Sequence, residues 1–369
     1  MADRYYINTD HVPINHETVG NYSWGKKDSG RRNVKTGGKE KDRFTCQLSV
    51  AKDGTKLPPF IIWKGKFIYS SLIHHVPSPF WIPLNLFVSL LLFLFLLSFL
   101  LAASIPSGQK SGNRASVTYE IKNRLPDKDG NTYPTREQCY MTVKKTANSD
   151  KDLTKLILKK VILPGAGVTF QDDDGLTSPG TCDHRVGLLW DEFKAHSCPE
   201  VKSYCQSHDF LDVDIIPGGL TPVGQPLDKV INKVFKGYFR DKYDAYILTA
   251  PVHNGAPKPP SRQLLATWIV ECWDMISPEL VRKAWTACGY PSEEDLVGGN
   301  ENAIVVAEDT DIASMIESIL GPEARAHFDD PENEAEDFSI TIGDEEDDDV
   351  EEVFNEWVND DDGVEGAAD

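Results

Sequence analysis

Two parts of this sequence lack charged side chains of one sign or of both. No Asp, Glu, Lys or Arg occurs between Lys66 and Lys110, and no Lys or Arg occurs between Asp329 and Asp369. The second stretch holds 20 acidic residues, which matches the formal net charge of −20 for the whole chain. The rest of the chain is therefore neutral, and the acidic balance does not exclude a nucleic-acid partner for it.

Cysteine is also scarce, with seven residues and no Cys-x-x-Cys pair. This odd, sparse set excludes a disulfide scaffold, and we expect reduced thiols in an intracellular protein. The first residues, MADRYYINTD, contain no apolar run, so no secretory signal is predicted. Cys182, His184, His196 and Cys198 suggest a zinc site, but their one-residue gaps are shorter than the usual ligand spacing, which disfavours zinc.

The uncharged stretch contains a strongly apolar segment. Residues 86–101 consist of nine Leu, four Phe, two Ser and one Val, and the 24 residues from 80 to 103 are long enough to span a bilayer. Three interpretations stay open: a membrane or interfacial helix, a buried core helix, and a retained intron. The third, which we favour, arises because pyrimidine-rich DNA encodes Leu, Phe and Ser.

The remaining sequence alternates strand and helix patterns, followed by an acidic tail that buries too little apolar surface to order itself, with 316–320 (IESIL) and 353–358 (VFNEWV) as candidate short binding helices within it. Asp53-Gly54 predicts the turn of a hairpin between the second and third strands. The predicted strands are Tyr5–Asp10, Arg43–Ala51, Pro58–Trp63, Val186–Trp190 and Val213–Ile216. The predicted helices are Asp150–Val161, Leu227–Tyr246, Gln263–Ile276 and Pro278–Cys288.

Three carboxylates stand at the ends of these elements. Asp10 ends the first predicted strand, Asp191 follows a buried strand, and Asp228 lies in the first turn of an amphipathic helix. Strand order of this kind suits an RNase H-like fold, whose central strands bring two acids side by side. Like charges at such distances cannot all stay ionised without a cation, and hard divalent cations prefer oxygen ligands.

The sequence around these acids resembles the DDE endonuclease domain of pogo-like transposases in the mariner superfamily. TDHVPI is similar to the first-acid motif, GLLWDEFKAH to the second, and DVDIIPGGLTPVGQPLDKVINKVFK to the third. TGGKEKDRFTCQLSVAKDGTKLPPFIIWKGK resembles the hairpin that follows the first acid. The resemblance covers about Arg4–Lys66 and Gln138–Tyr290.

This resemblance implies an α/β fold with an RNase H-like mixed sheet flanked by helices. The composition adds an inserted hydrophobic segment and a disordered acidic C-terminal tail. It implies that Asp10, Asp191 and Asp228 are catalytic and bind two Mg²⁺ or Mn²⁺ ions for cleavage and strand transfer at a phosphodiester. The expected organisation is a first DDE part (residues 4–66), the hydrophobic insertion (67–118), a second DDE part (119–290) and the tail (291–369).

Two departures from the family pattern point to a degenerate copy. His11 stands where the family usually has an acidic or amide residue, and the chain starts nine residues before Asp10, so we expect the helix-turn-helix DNA reader to be absent. The alternative function is a non-catalytic, domesticated nuclear DNA- or protein-binding protein. A membrane-anchored protein is a third hypothesis, which depends on residues 80–103 alone.

A basic loop close to the first acid is the predicted DNA contact, with a solvated loop as the alternative. Its candidate residues are Lys26, Lys27, Arg31, Arg32, Lys35 and Lys39. Gly38-Lys39 is not a phosphate-binding loop, because Glu40 replaces the required Ser or Thr. We expect DNA as the partner in the nucleus, basic nuclear proteins as partners of the acidic tail, and a membrane only if the 80–103 helix is genuine. The oligomeric state is left open.

Overall fold

A computed structural model describes residues 5–18, 37–39, 41–65, 120–121, 123–170, 180–291 and 312–330. The hydrophobic insertion predicted at 67–118, with its 80–103 segment, lies outside these residues. Within the described ranges, no helix combines the length and the apolar character needed to cross a membrane.

Six strands form one mixed sheet in the order β4-β3-β2-β1-β5-β6. The central strand β1 pairs antiparallel with β2 and parallel with β5. The strands are β1 (Tyr6–Asn15), β2 (Arg43–Ala51), β3 (Phe60–Lys64), β4 (Tyr140–Lys144), β5 (Val186–Asp191) and β6 (Leu211–Ile216). A small hairpin joins β7 (Val252–His253) to β8 (Ala256–Pro257).

Helices flank this sheet, as predicted. In chain order they are α1 (Lys151–Ile157), α2 (Leu163–Gly165), α3 (Lys194–Ser197), α4 (Pro199–Gln206), α5 (Thr221–Gly224), α6 (Asn232–Thr249), α7 (Arg262–Met275), α8 (Pro278–Ala287), α9 (Ile312–Leu320) and α10 (Pro322–Asp329). Two π-helical segments, Leu158–Ile162 and Leu227–Ile231, lead into α2 and α6.

Alternation along the strands divides the core into two apolar layers. Ile61 and Trp63 of β3 pack with α6, α7 and α8 on one face, whereas Phe60 and Ile62 pack with α1 and α4 on the other. Both faces of the sheet are therefore buried, which explains why nearly every residue of β2 and β5 is inaccessible to solvent.

The first strand is longer than predicted. It continues past Asp10 to Asn15, because His11–Asn15 pair with the start of β2 in unbroken antiparallel register. The parallel pairing with β5, in contrast, ends at Asn8. Asp10 therefore lies in mid-strand and not at a strand end, but it still lies just beyond the last parallel pair.

Two helices lie within the segment predicted to be an unstructured tail. Ile316 of α9 and Ala324 of α10 are fully buried. On α10, His327 lies so close to Gly237 of α6 that a Cβ atom there would come within 2.2 Å of it. Residues 312–330 are therefore ordered within the tail, and α9 contains the candidate helix 316–320, because apolar residues along these short helices cover a face of the folded domain. Residues 331–369 lie outside the described ranges.

Candidate active site

The register of the central strands places the first two predicted acids side by side. Tyr6, Ile7 and Asn8 of β1 pair with Gly187, Leu188 and Leu189 of β5. The same offset, continued by two residues, puts Asp10 opposite Asp191, the last residue of β5. Adjacent strands in a sheet lie about 4.8 Å apart, so these two residues come to the same end of the sheet, just beyond the last parallel pair.

Side chains and carbonyl groups of β1 anchor the segment that carries the third acid. The Asn8 side-chain oxygen accepts a hydrogen bond from the backbone N–H of Leu227 at 3.1 Å, and Gln225 donates to the carbonyl oxygen of Thr9 at 3.4 Å. Asp228 follows directly, within the π-helical segment. Such segments are frequent at functional sites, and here one fixes the third acid above the central strand.

Asn232 joins the first and third acids. Its side-chain N–H group donates to Asp10 Oδ2 at 2.7 Å and to Asp228 Oδ1 at 3.1 Å. Asn232 is the first residue of α6 and is buried, and its Oδ1 atom has no hydrogen-bond partner. One amide group therefore holds two carboxylates that would otherwise repel each other.

The second acid has a different set of neighbours. Asp191 Oδ1 lies 2.9 Å from Nδ1 of His196, a fully buried histidine whose ring stacks on Trp190 with 4.1 Å between ring centroids. His11 stacks on the other side of His196 at 5.4 Å and also contacts Phe193. These aromatic rings fix the imidazole, and the imidazole fixes one carboxylate oxygen of Asp191.

These neighbours shift the pKa values of the two acids in opposite directions. Burial, followed by the charges of Asp228 and Asp191, raises the pKa of Asp10 well above its ordinary value. Burial also pushes the pKa of Asp191 upward, but the hydrogen bond from His196, followed by the charge of His196, outweighs it, so this pKa lies below its usual range. Burial and the proximity of His196 lower the pKa of His11 to about 3, so His11 is neutral at physiological pH.

The three acids do not gather as tightly as a preformed cage. Among the described residues, the group whose ligand atoms all lie within 4.8 Å of one another is Cys182, Asp183 and His184, away from the acids. The four residues weighed above as a zinc set are not brought together. His196 binds Asp191, and the Cys198 thiol donates to the carbonyl oxygen of Ala195.

The structure describes only the last residue of the predicted basic loop. Lys39 is partly buried, and burial and the charge of Arg262 lower its pKa. Lys26, Lys27, Arg31, Arg32 and Lys35 lie outside the described residues.

Three residues that were not predicted line a pocket at the site together with Asp10 and Asp228. They are Asn232, Lys233 and Lys236. Asp228, Asn232 and Lys236 recur at a spacing of four, which places them on one helical face; this spacing is the signal that could have identified them in the sequence.

The six-stranded mixed sheet flanked by helices is consistent with an RNase H-like DDE fold, and part of the chain is similar to a known family with that fold. Residues 121–285 match the family described as DDE superfamily endonuclease, a match that covers Asp191 and Asp228 and confirms the predicted family for this part of the chain. Domains of this superfamily act on DNA and generally use divalent metal ions.

Two curated relatives carry the same description, "Pogo transposable element with KRAB domain". The human protein is 24% identical over 326 residues, covering 84% of this chain and 41% of its own length. The mouse protein is 25% identical over 289 residues, covering 77% of this chain and 35% of its own length. This chain thus spans well under half the length of these relatives, and no solved structure matches it.

The donor set fits divalent cations. All three acids offer carboxylate oxygens, which suit hard ions such as Mg²⁺ and Mn²⁺. The raised pKa of Asp10 and the unpartnered oxygen of Asn232 belong to the same pocket, and both features are relieved by a positive charge placed there.

Proposed function

We propose that this chain is a transposase-derived DDE endonuclease domain that cuts DNA strands at a phosphodiester with the help of Mg²⁺ or Mn²⁺. The observation that carries the proposal is the register of β1 on β5, which aligns Asp10 with Asp191, together with the amide of Asn232 that links Asp10 to Asp228. Support also comes from the location of the three acids, which belong to separate parts of the sequence and lie near one end of the parallel strands.

In this proposal Asp10, Asp191 and Asp228 hold two metal ions. The bound ions supply an activated water or 3′-hydroxyl nucleophile and stabilise the leaving oxygen. His196 orients the Asp191 carboxylate and keeps it ionised, so that it is ready to bind a cation at neutral pH. Lys233 and Lys236, which line the same pocket, bind the phosphates of the DNA strand.

Metal-dependent nicking of supercoiled plasmid by the full chain tests this function. We expect nicking with Mg²⁺ or Mn²⁺, none with EDTA, and a loss of about a thousandfold or more in Asp191→Asn with unchanged circular dichroism. Asp152→Asn is the matched control, because Asp152 pairs with Lys155 on α1, outside the site, and its variant should nick normally. Equal nicking by Asp191→Asn and the unchanged protein would refute the assignment.

The alternative function is a non-catalytic nuclear protein that keeps the fold and binds DNA or protein. His11 favours it, because a neutral, half-buried ring stands where the family usually has an acidic or amide residue. DNA binding that is insensitive to EDTA, with no nicking under any metal condition, would support this second function.

The proposed place of action is the nucleus, where DNA is available, and basic nuclear proteins are the proposed partners of the acidic residues beyond 330. Salt-dependent DNA binding by the full chain is expected, since Lys233 and Lys236 would displace cations from phosphates. Fractionation of tagged protein with nuclei checks the location, and fractionation with membranes would contradict it.

A further inference from the structure

The amide group of Asn232 takes a position between two acids that repel each other. Ionised carboxylates only accept hydrogen bonds, so the side-chain nitrogen, and not the oxygen, faces Asp10 and Asp228 when both acids are ionised and no cation is bound. The partial positive charge of the N–H group then substitutes for the missing cation between the two oxygens.

The other end of the same amide is unsatisfied. Asn232 Oδ1 is buried and has no hydrogen-bond partner, a costly state for a carbonyl oxygen. The side chain also lines the pocket that Asp10 and Asp228 share. An amide oxygen is a hard ligand of the kind that Mg²⁺ and Mn²⁺ accept, and a half-turn about the last side-chain bond exchanges the nitrogen and oxygen positions.

We infer that Asn232 is a fourth ligand residue of the metal site, which closes the pair Asp10–Asp228 with its nitrogen when no ion is bound and binds the ion with its oxygen. The inference rests on the proposed metal-dependent function. Asn232 then has two side-chain orientations: one stabilises the metal-free protein, and the other contributes to metal affinity.

The position on the helix supports this role. Asn232 follows the π-helical segment that contains Asp228, and its backbone N–H donates to the carbonyl oxygen of Leu227. The backbone N–H of Leu227 in turn donates to Asn8 Oδ1 of β1. The amide therefore sits on a rigid support fixed to the strand that carries Asp10. Only the side chain has to turn for the two states to exchange.

Calorimetric titration of the full chain with MnCl₂, without DNA, tests the inference apart from catalysis. A ligand role predicts that Asn232→Ala weakens Mn²⁺ binding about tenfold or more. Asn232→Asp keeps an oxygen ligand and loses the two N–H donors, so it should bind Mn²⁺ at least as tightly while its metal-free melting temperature falls. The rise in melting temperature with Mn²⁺ should then be larger for Asn232→Asp than for the unchanged protein.

Gln263→Ala provides the matched control. Gln263 is an equally buried amide whose nitrogen donates to Glu120 at 3.0 Å and to the carbonyl oxygen of Leu125 at 2.9 Å, with no metal-site contact in either bond. Its variant should melt at a lower temperature with Mn²⁺ affinity unchanged.

The outcomes distinguish failure of the proposed metal-dependent function from failure of the inference about Asn232. If the unchanged protein binds no Mn²⁺, the proposed function fails. If it binds Mn²⁺ and Asn232→Ala binds as tightly or more tightly, Asn232 only competes with the ion and the inference is overturned. If Asn232→Ala does not fold without metal, Asn232→Asp decides: weaker Mn²⁺ binding by that variant overturns the inference.

Discussion

Asp10 and Asp191 lie on adjacent strands, each two residues beyond the last parallel pair of Asn8 with Leu189, yet their surroundings are opposite in character. Asp191 faces His196 and is partly exposed, whereas Asp10 is buried beside Asp228 with one shared amide between them. The first environment lowers a carboxyl pKa and the second raises one. In the half around Asp191 the ionised carboxylate is therefore favoured without metal, whereas in the half around Asp10 it is disfavoured, and the proposed metal ion would relieve this.

This difference assigns separate tasks to the two halves. The Asp191 half is built from stacked rings that fix geometry, and the Asp10 half is built from polar groups whose charges are unbalanced. Metal-ligand sites need both properties, since geometry sets which ion fits and excess negative charge sets how tightly it binds. Substitutions in one half of the site at a time separate the contribution of geometry, around Asp191, from that of charge, around Asp10.

The largest stability change is expected on the Asp191 half, from His196→Ala. The variant removes a buried ring stacked on Trp190 and the hydrogen bond to Asp191, which together should lower the free energy of unfolding by about 2–4 kcal/mol at pH 7. Because the folded pKa of Asp191 is depressed, its share of this stability exists above the unfolded value of about 4 and is lost as pH falls through the folded value. Urea unfolding between pH 3 and 7 measures both the loss of stability at pH 7 and its dependence on pH.

His208→Ala is the control for His196→Ala. His208 is also buried, with its Nδ1 bonded to the carbonyl oxygen of Tyr204 at 2.8 Å and its Nε2 unpartnered, but it contacts no carboxylate. Both variants lose a buried ring, and only His196→Ala should lose the acid-dependent part. If the free energy of unfolding depended on pH in the same way for both variants, His196 would not be the cause of the depressed pKa of Asp191.

A smaller change of opposite sign is expected on the other half, from Asp10→Asn. The raised pKa means that the folded state penalises the ionised Asp10, so this penalty grows as pH rises from the unfolded value of about 4 through the folded value. Removing the charge should therefore raise the free energy of unfolding at pH 7 by about 1–2 kcal/mol in EDTA and leave it unchanged below pH 4. Destabilisation of the variant at pH 7 would contradict the account of Asp10.

The smallest change is expected where the two halves meet, from His11→Asn. This ring is neutral at physiological pH because its pKa is about 3, so its removal changes no charge near Asp191. The loss of its stacking on His196 should cost about 1 kcal/mol, without altering the pH dependence of unfolding above pH 4. A pH-dependent loss would show that His11 carries charge in the folded protein.

Local patterns in the sequence predicted most of the sheet and the positions of the acids. The strand β2 was predicted with its observed bounds, and Asp191 and Asp228 were placed at a strand end and in a first helical turn, where they are found. These features depend on alternation, apolar runs and turn residues, which act over a few neighbouring residues. The resemblance to pogo-like transposases added the fold and the family.

Features that depend on distant partners could not be predicted in this way. The extension of β1 to Asn15 requires the pairing with β2, and the edge strand β4, which was not predicted, requires β3 as its neighbour. The role of Asn232 depends on Asp10, 222 residues away in the chain. The helices α9 and α10 lie in an acidic segment, and their small apolar face is buried by packing on the folded domain, which for α10 includes contact with α6.

The strand order has a consequence for how the chain reaches this fold. The segment that matches the family holds β4 at one edge of the sheet and β5 and β6 at the other, while β1, β2 and β3, which fill the space between them, come from outside it. The hydrogen bond from Asn8 to Leu189 closes a loop of 181 residues. Long loops close slowly, so β1–β3 and β5–β6 pair late in folding. Until they pair, the unpaired backbone groups of their edge strands are exposed and can bind other chains. A fragment cut at the limits of the family match would stay permanently at that stage.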